Sequence, residues 1–343
     1  MALMSRRAFL VSSAAAACVA SLPRIARATG GLDVGEQAVA LHQVRVLLAT
    51  GPYAAPQQLD AWHFTWNGGS YRGTAATVAL PDGRNALVNT LPLDAYLYGV
   101  LSKEVGASWA AAAQQAQAIV ARTYALHKLR PDKPYDVTAG DADQNYGGMA
   151  SETVEGRAAV DATAGVIVTY GGLPAHVAYS ASCGGRTADA GDVWGTPYPY
   201  LVSIPDPNCI GTPNFDWQAD VPLQTLQRAL RTDLANVGAL QAVTLQIDAP
   251  SDRPRAIDFA GTMTTFATPV ERFRMAVGPQ IVRSTFVHSA ALNRDNSTLS
   301  LSGTGHGHGV GLCQWGARML GEGGANAAQI VAFYFPGTSF GRG

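Results

Sequence analysis

"LSKEVGASWAAAAQQAQAIVARTYAL", residues 101–126, holds no charged side chain between Val105 and Ala121. Glu104 stands just before that run and Arg122 is the next charge after it. Ala112, Ala116, Ile119, Thr123 and Leu126 recur at helical spacing, which predicts a long helix from Trp109 to about Lys128 with one buried face and Ser108 as its N-cap. The preceding "LPLDAYLYGVLSKEV" reads as a first helix with Pro92 near its beginning. A lone Glu before a helix is ordinarily a solvated residue favoured by the helix dipole. Here Leu101, Val105 and Trp109 surround it, and Lys103 is the one basic residue close in sequence. A carboxyl group in apolar surroundings has a raised pKa and can stay protonated near neutral pH, as a general acid must. Glu104 is therefore the first candidate for chemistry.

Upstream, "VRVLLA", "AWHFTW", "YRGTAATVAL" and "NALVNT" are short apolar runs separated by Gly, Asn and Asp-Gly turns, a strand-rich segment from about Val44 to Val88. "PDGR" at 81–84 has hairpin-turn composition. Downstream come a loop, "YDVTAGDADQNYGG", and a helix around Glu152 to Ala164. "GVIVTYGGLPAHVAYSAS" then reads as a hairpin, and residues 213–240 as mostly helical. Residues 241–290 mix strand with a short helix, and the glycine-dense "SGTGHGHGVGLCQWGARML" feeds a last helix. Helices and strands do not alternate as in a βαβ array, so the fold class expected is α+β.

The first 28 residues read as a twin-arginine export signal: Arg6 and Arg7, a modestly apolar stretch from Ala8 to Ala20, and "ARA" at Ala26–Ala28. The stretch is too short to span a membrane, and Ala15 weakens a lipoprotein reading through Cys18. The expected destination is the periplasm. Removing Arg6, Arg7, Arg24 and Arg27 leaves 20 basic against 25 acidic residues, a net charge of −5. That argues against a nucleic-acid partner, which calls for a basic face, and no later segment has membrane-spanning length. The expected organisation is a signal over 1–28, an extension over 29–43 and a catalytic domain over 44–340.

Three cysteines survive export: Cys183, Cys209 and Cys313. In an oxidising compartment two of them are expected to pair. Cys183 and Cys209 flank a loop-rich stretch with little core of its own, so a Cys183–Cys209 disulfide is the expectation, with Cys313 free and buried. "GTGHGHGVG" lacks the strand–glycine–helix frame and the Lys-Ser/Thr of a phosphate loop. His306 and His308 have no HExxH and no nearby acid, a weak metal signal. The glycines more naturally let backbone approach another strand or a ligand, which would point at least one of the histidines into a groove.

Six blocks carry a resemblance. "VNTLPLDAYLYGVLSKEVGASW", "AAAAQQAQAIVARTYAL", "DADQNYGG", "AVDATAGVIVTYGG", "AYSASCGGRTADAGDVWG…PYL" and "GHGHGVGLCQWGARML" with "IVAFYFPGT" follow one another in this order. In this the chain resembles the stage II sporulation protein D family (SpoIID/LytB domain) from about Val44 to Phe340. The resemblance implies a single α+β catalytic domain with a substrate groove. The activity it implies is that of a peptidoglycan lytic transglycosylase acting on glycan strands already stripped of stem peptides by an amidase. Some family members are described instead as amidase enhancers. The family's catalytic Glu falls on Glu104. Its functional Arg falls on Arg122, whose expected role is to anchor the Glu-bearing loop or a sugar substituent. Gln144 and Tyr146 become groove residues, Tyr179, Ser180 and Ser182 an opposite wall, and His308 and Gln314 contributors from the glycine-rich block. Some members hold zinc through Cys and His just before that Gln and Tyr. Here "YDVTAGDADQNY" has neither, so the resemblance implies a metal-free, cofactor-free protein.

A hydrolase acting on glycans normally needs two carboxylates; a lytic transglycosylase can use one. That one acid protonates the leaving glycosidic oxygen, then takes the proton from the C6 hydroxyl of N-acetylmuramic acid, closing a 1,6-anhydro ring. Two other readings stay open: a non-catalytic wall-binding enhancer of an amidase, and a two-carboxylate glycosidase with Asp141, Asp143 or Asp192 as partner.

Overall fold

The computed structural model describes residues 42–343 apart from 141, 214, 248–250, 294 and 296. The export signal, Cys18 and Asp141 lie outside the described residues. What remains is α+β, with small sheets packed against helices rather than one continuous sheet.

A four-stranded sheet runs Thr74–Ala79, Asn85–Pro92, Gln43–Thr50, Val137–Thr138, antiparallel except at the last pair. The expected 81–84 turn closes its first hairpin. Strand Asn85–Pro92 passes directly into helix α1 (Leu93–Glu104), with Pro92 at the N-cap and Asp94 in the first turn. Leu93, Tyr96, Leu97, Val100 and Leu101 form its buried face against Val44, Val46 and Leu91 of the sheet. Val105 is extended (φ −135°, ψ 149°), which ends α1 at Glu104.

Helix α2 (Ala111–Lys128) therefore starts afresh, capped at Ala110 rather than Ser108. The open turn between the helices is closed instead by the buried Gln114 side chain, whose amide donates to the Ala107 and Trp109 carbonyls (3.0 and 2.9 Å). Consequently Glu104 is the last residue of α1, not the entrance residue of the long helix. A helix C-terminus does not favour a carboxylate, so the ordinary explanation for a Glu at this point fails.

The alanine-rich α2 is buried on most of its circumference. On one side it packs against α1 and α3 (Val154–Ala162), and on the other against helices Gln314–Glu322 and Ala327–Tyr334. Small side chains let these helices approach closely: a Cβ on Gly321 would sit 3.3 Å from Ala110 Cβ and from the Ala113 nitrogen. The helix expected last is next to last, and the chain closes with Ala327–Tyr334 and strand Ser339–Arg342 on Val166–Tyr170.

Residues 216–304 build a second core around Phe259, Phe273, Ile257 and Leu299. The segment expected to be mostly helical opens as a strand, Asp216–Pro222, paired with Thr298–Thr304. Trp217 and Val221 point inward at period two, a signal hidden by the helices at Leu223–Ala229 and Arg231–Leu234. The expected hairpin at 165–182 stops after Val166–Tyr170 and Leu173–Pro174. Tyr179–Ser180 pairs instead with Leu312–Cys313. That pairing brings the "YSASC" and "GLCQ" blocks side by side.

Candidate active site

Five of the expected site residues line one cavity of about 640 Å³: Glu104, Tyr179, Ser180, His308 and Gln314. Different elements bring them there. Glu104 ends α1. Tyr179 and Ser180 lie on the short strand beside Leu312–Cys313. Gln314 is the first residue of the helix that Cys313 caps.

Glu104 is half-buried and held by named donors. Gln314 Nε2 donates to Oε2 at 3.1 Å, and the Asn145 backbone N–H to Oε1 at 3.3 Å. Behind the cavity wall, Gln144 is fully buried; its amide donates to the Tyr179 hydroxyl (3.1 Å) and the Ala121 carbonyl (3.4 Å) while its carbonyl accepts from Tyr96 (3.2 Å). Gln144 thus fixes Tyr179 without reaching the cavity. Burial, with the Glu104 charge adding, pushes the Tyr179 phenol well above its usual range, so it stays a neutral hydroxyl. The Ser180 hydroxyl is buried, and among the described residues it has no hydrogen-bond partner.

The glycine-rich segment does what its composition suggests. Gly307 and Gly311 have φ of +103° and +72°; a Cβ at Gly307 would press on Ser180, and one at Gly311 would overlap the Ala178 carbonyl. Their close approach carries His306 and His308 to the cavity. His308 Nδ1 accepts from the Val310 N–H at 3.0 Å. Burial, helped by the charge of Arg274, pulls its pKa down to about 4, so the ring is neutral at pH 7.

Four expected residues lie elsewhere. Arg122 is 1% exposed and does not line the cavity. Its Nε donates to Asp94 Oδ1 (2.8 Å), and its terminal nitrogens donate to the Val160 and Val166 carbonyls (both 3.1 Å). It ties the first turn of α1 to α3. Tyr146 packs on Tyr96 and Tyr71 and donates to Asn89 Oδ1 at 3.0 Å. Ser182 is buried, with its hydroxyl 3.1 Å from Cys209 Sγ. Gln144 is the fourth. Cys183 and Cys209 are adjacent but are free thiols, and Cys313 shares their cluster.

Sequence reasoning did not single out Tyr124, Lys128, Asn145, His176, Trp194 or Tyr198, all on the cavity wall. Tyr124 and Lys128 were findable as an i, i+4 pair on one helix face. Of the alternative carboxylates, Asp192 is paired with Arg255 at 2.6 Å, away from this cavity. Asp143 is on its wall, but Lys128 Nζ lies 3.0 Å from Oδ1, and Oδ2 accepts from Thr138 N–H and Oγ1 at 2.9 and 3.0 Å. Although burial opposes it, these donors hold the Asp143 carboxyl below its usual range. Asp136, in the 135–146 block, is committed to Arg45. Among the described residues that block offers no soft donor.

An α+β fold that presents Glu104, held by Gln314 and Asn145, to a lined cavity is the class defined so far. Comparison with known proteins narrows it. The model of a family described as stage II sporulation protein matches residues 82–170, from the first hairpin through α1 and α2 to strand Val166–Tyr170. The amidase enhancer of Bacillus subtilis is 30% identical over 291 residues, covering 71% of this chain and 40% of the relative. An uncharacterised protein of Brachyspira hyodysenteriae is 29% identical over 277 residues, 80% of this chain and 73% of the relative. Stage II sporulation protein D of Bacillus subtilis is 26% identical over 285 residues, 77% and 79% of the two chains. The chain belongs to the SpoIID family. It spans 40% of the length of the amidase enhancer it matches. Among the described residues no helix is long and apolar enough to cross a membrane.

Proposed function

We propose that this chain is a cell-wall protein that cuts peptidoglycan glycan strands as a lytic transglycosylase, with Glu104 as its single acid–base group. The observation that carries the reading is the placement of Glu104 on the cavity wall, with one oxygen held by Gln314 and the other by the Asn145 N–H. Two fixed donors aim the carboxyl group into the cavity, the positioning a proton donor requires. Among the described residues, the other carboxylate of the cavity, Asp143, has both oxygens occupied by Lys128 and Thr138. That favours a one-carboxylate mechanism over a two-carboxylate hydrolase, in which the partner must be free to activate water or attack carbon.

In the first step Glu104 protonates the glycosidic oxygen and the bond to C1 of N-acetylmuramic acid breaks. In the second, the ionised Glu104 takes the proton from that sugar's C6 hydroxyl as the oxygen closes on C1. Atoms balance without water, and Glu104 is regenerated protonated. In this reading Ser180 and Tyr179, whose hydroxyl stays neutral, contribute the wall that meets the sugar substituents. The exposed Trp194 ring beside His308 and the Tyr198 ring offer flat faces for pyranose rings. Arg122 is a positioning residue acting through α1. Export to the periplasm through residues 1–28 belongs to the same proposal, as does cooperation with an amidase that strips the stem peptides.

The relative named an amidase enhancer supports a second reading, a wall-binding module that stimulates an amidase. Digestion of purified denuded and intact glycan strands, followed by mass spectrometry, separates the readings. Products ending in 1,6-anhydro-N-acetylmuramic acid support the lyase. Reducing ends one water heavier support the hydrolase, and no cleavage without an added amidase supports the enhancer.

A further inference from the structure

The three cysteines fall outside the mechanism, and their arrangement is not that of one pair and a spectator. Cys183 follows the strand Tyr179–Ser180, Cys209 ends a short helical turn (Pro207–Cys209), and Cys313 caps the helix that begins with Gln314. Asp206 joins them. The three sulfurs and an Asp206 oxygen all lie within 4.8 Å of one another, and all four residues are buried to 1% exposure or less.

We infer that Cys183, Cys209, Cys313 and Asp206 form a tetrahedral zinc site that fastens the wall of the catalytic cavity. A Zn–S distance of about 2.3 Å and a Zn–O distance of about 2.0–2.2 Å place tetrahedral donors roughly 3.5–3.8 Å apart. Cys183 Sγ is already 3.3 Å from Asp206 Oδ2. Small side-chain rotations complete the set.

The surroundings suit thiolates and a bound cation better than they suit thiols. Cys313 Sγ accepts two backbone N–H groups, from Cys183 at 3.2 Å and Gly316 at 3.3 Å. Asp206 is oriented on both oxygens, Oδ2 by the Tyr334 hydroxyl (2.8 Å) and Oδ1 by Asn208 Nδ2 (3.2 Å). Outer-shell hydrogen bonds of this kind fix metal ligands and are part of a site's affinity. Gly316 is needed here, because a Cβ would overlap Asp206 and Tyr334. The buried Arg253 guanidinium donates to the Cys183 carbonyl and offsets the negative charge that three thiolates and a carboxylate would leave after binding one divalent ion. Soft thiolates in a four-coordinate set select zinc over magnesium or calcium. Closing the set with protein ligands alone makes the site structural, with no position left for water. A disulfide would use two sulfurs and leave the third, with a buried carboxylate, against it.

The expectation of a metal-free chain considered one block, residues 135–146. The four donors come from three other blocks, 183, 206–209 and 313, which only the fold brings together. The consequence for the site is direct. Cys313 precedes Gln314, which holds Glu104, and Ser182, next to Cys183, bridges His306. The metal is therefore a positioning element for the wall opposite α1.

The test uses the full chain purified without chelators. Elemental analysis is expected to give one zinc per chain, with all three thiols shielded from a thiol reagent until a strong chelator is added. Cys313→Ser and Cys209→Ser should each lose that zinc. Replacing the ion with Co²⁺ should give intense visible bands of tetrahedral geometry and near-ultraviolet thiolate charge-transfer bands, a readout independent of activity and of whether the variants fold. Wild-type protein without zinc that also fails to develop the Co²⁺ spectrum would overturn the site, as would a Cys183–Cys209 disulfide in a non-reducing peptide map. So would zinc that survives in a folded Cys variant.

Discussion

Replacing Arg122 by Met should unfold the protein more readily rather than weaken its hold on substrate. The side chain is 1% exposed and makes an ion pair to Asp94 together with two hydrogen bonds to the Val160 and Val166 carbonyls. Methionine keeps much of the volume, so the cavity term is small. Loss of the charge strands two carbonyls in the core; Asp94, whose side chain is 33% exposed, can rehydrate. Breaking a buried pair costs about 3–5 kcal/mol, and a charged hydrogen bond contributes about 1.5–3 kcal/mol. Burial lowers the guanidinium pKa despite Asp94, so relief of that desolvation offsets part of the loss. A net destabilisation of about 3 kcal/mol follows, read as a lower urea midpoint by tryptophan fluorescence. Arg122→Lys, with a point-like ammonium in place of a fork, should recover only part of it. KM for glycan strands, measured where the variant is folded, should stay near wild type. Full stability with a raised KM would refute the anchoring role and put a sugar on Arg122.

Gln314→Leu removes a donor from Glu104 and should lower kcat by roughly tenfold, short of the 10²–10⁴ that loss of the acid–base group itself would cost, with little change in the urea midpoint; an unchanged kcat would remove Gln314 from the site. Stability should fall as pH drops from 6.5 toward 4. The unfolded chain protonates His308 near its ordinary pKa, whereas the folded state resists until about 4, so the stability present above 6.5 is lost through that window, by at most about 3 kcal/mol. His176 and His306 are shifted the same way by burial. His308→Gln should flatten the slope in a urea-midpoint series against pH; an unaltered slope would assign the effect to the other groups.

Glu104 was legible because its oddity is local: a charge beside seventeen uncharged residues. Its place at the end of α1 was not, since the break depends on Val105 turning extended and on Gln114 reaching back across the gap. Arg122 shows the converse. A lone Arg in an apolar helix looks functional until Asp94, Val160 and Val166 arrive from other elements to satisfy it. The strand Asp216–Pro222 was obscured because Asp216, Gln218 and Asp220 are polar and helices follow at once. Pairing Cys183 with Cys209 used nearness in sequence, whereas Cys313 reaches the same point through the pairing of Ser180 with Cys313. The glycine-rich segment was read correctly as a close approach, because positive φ and missing side chains are properties of glycine itself.

The most direct measurement compares wild type with Glu104→Gln on denuded glycan strands, counting 1,6-anhydro ends by mass spectrometry over time. The substitution keeps the size of the side chain and leaves folding intact but delivers no proton. A positioned acid–base group contributes roughly 10²–10⁴ in rate, so anhydro ends should form rapidly with wild type and fall by at least about a hundredfold with the variant. Anhydro ends formed by Glu104→Gln at near the wild-type rate would contradict the assignment of Glu104 as the catalytic acid.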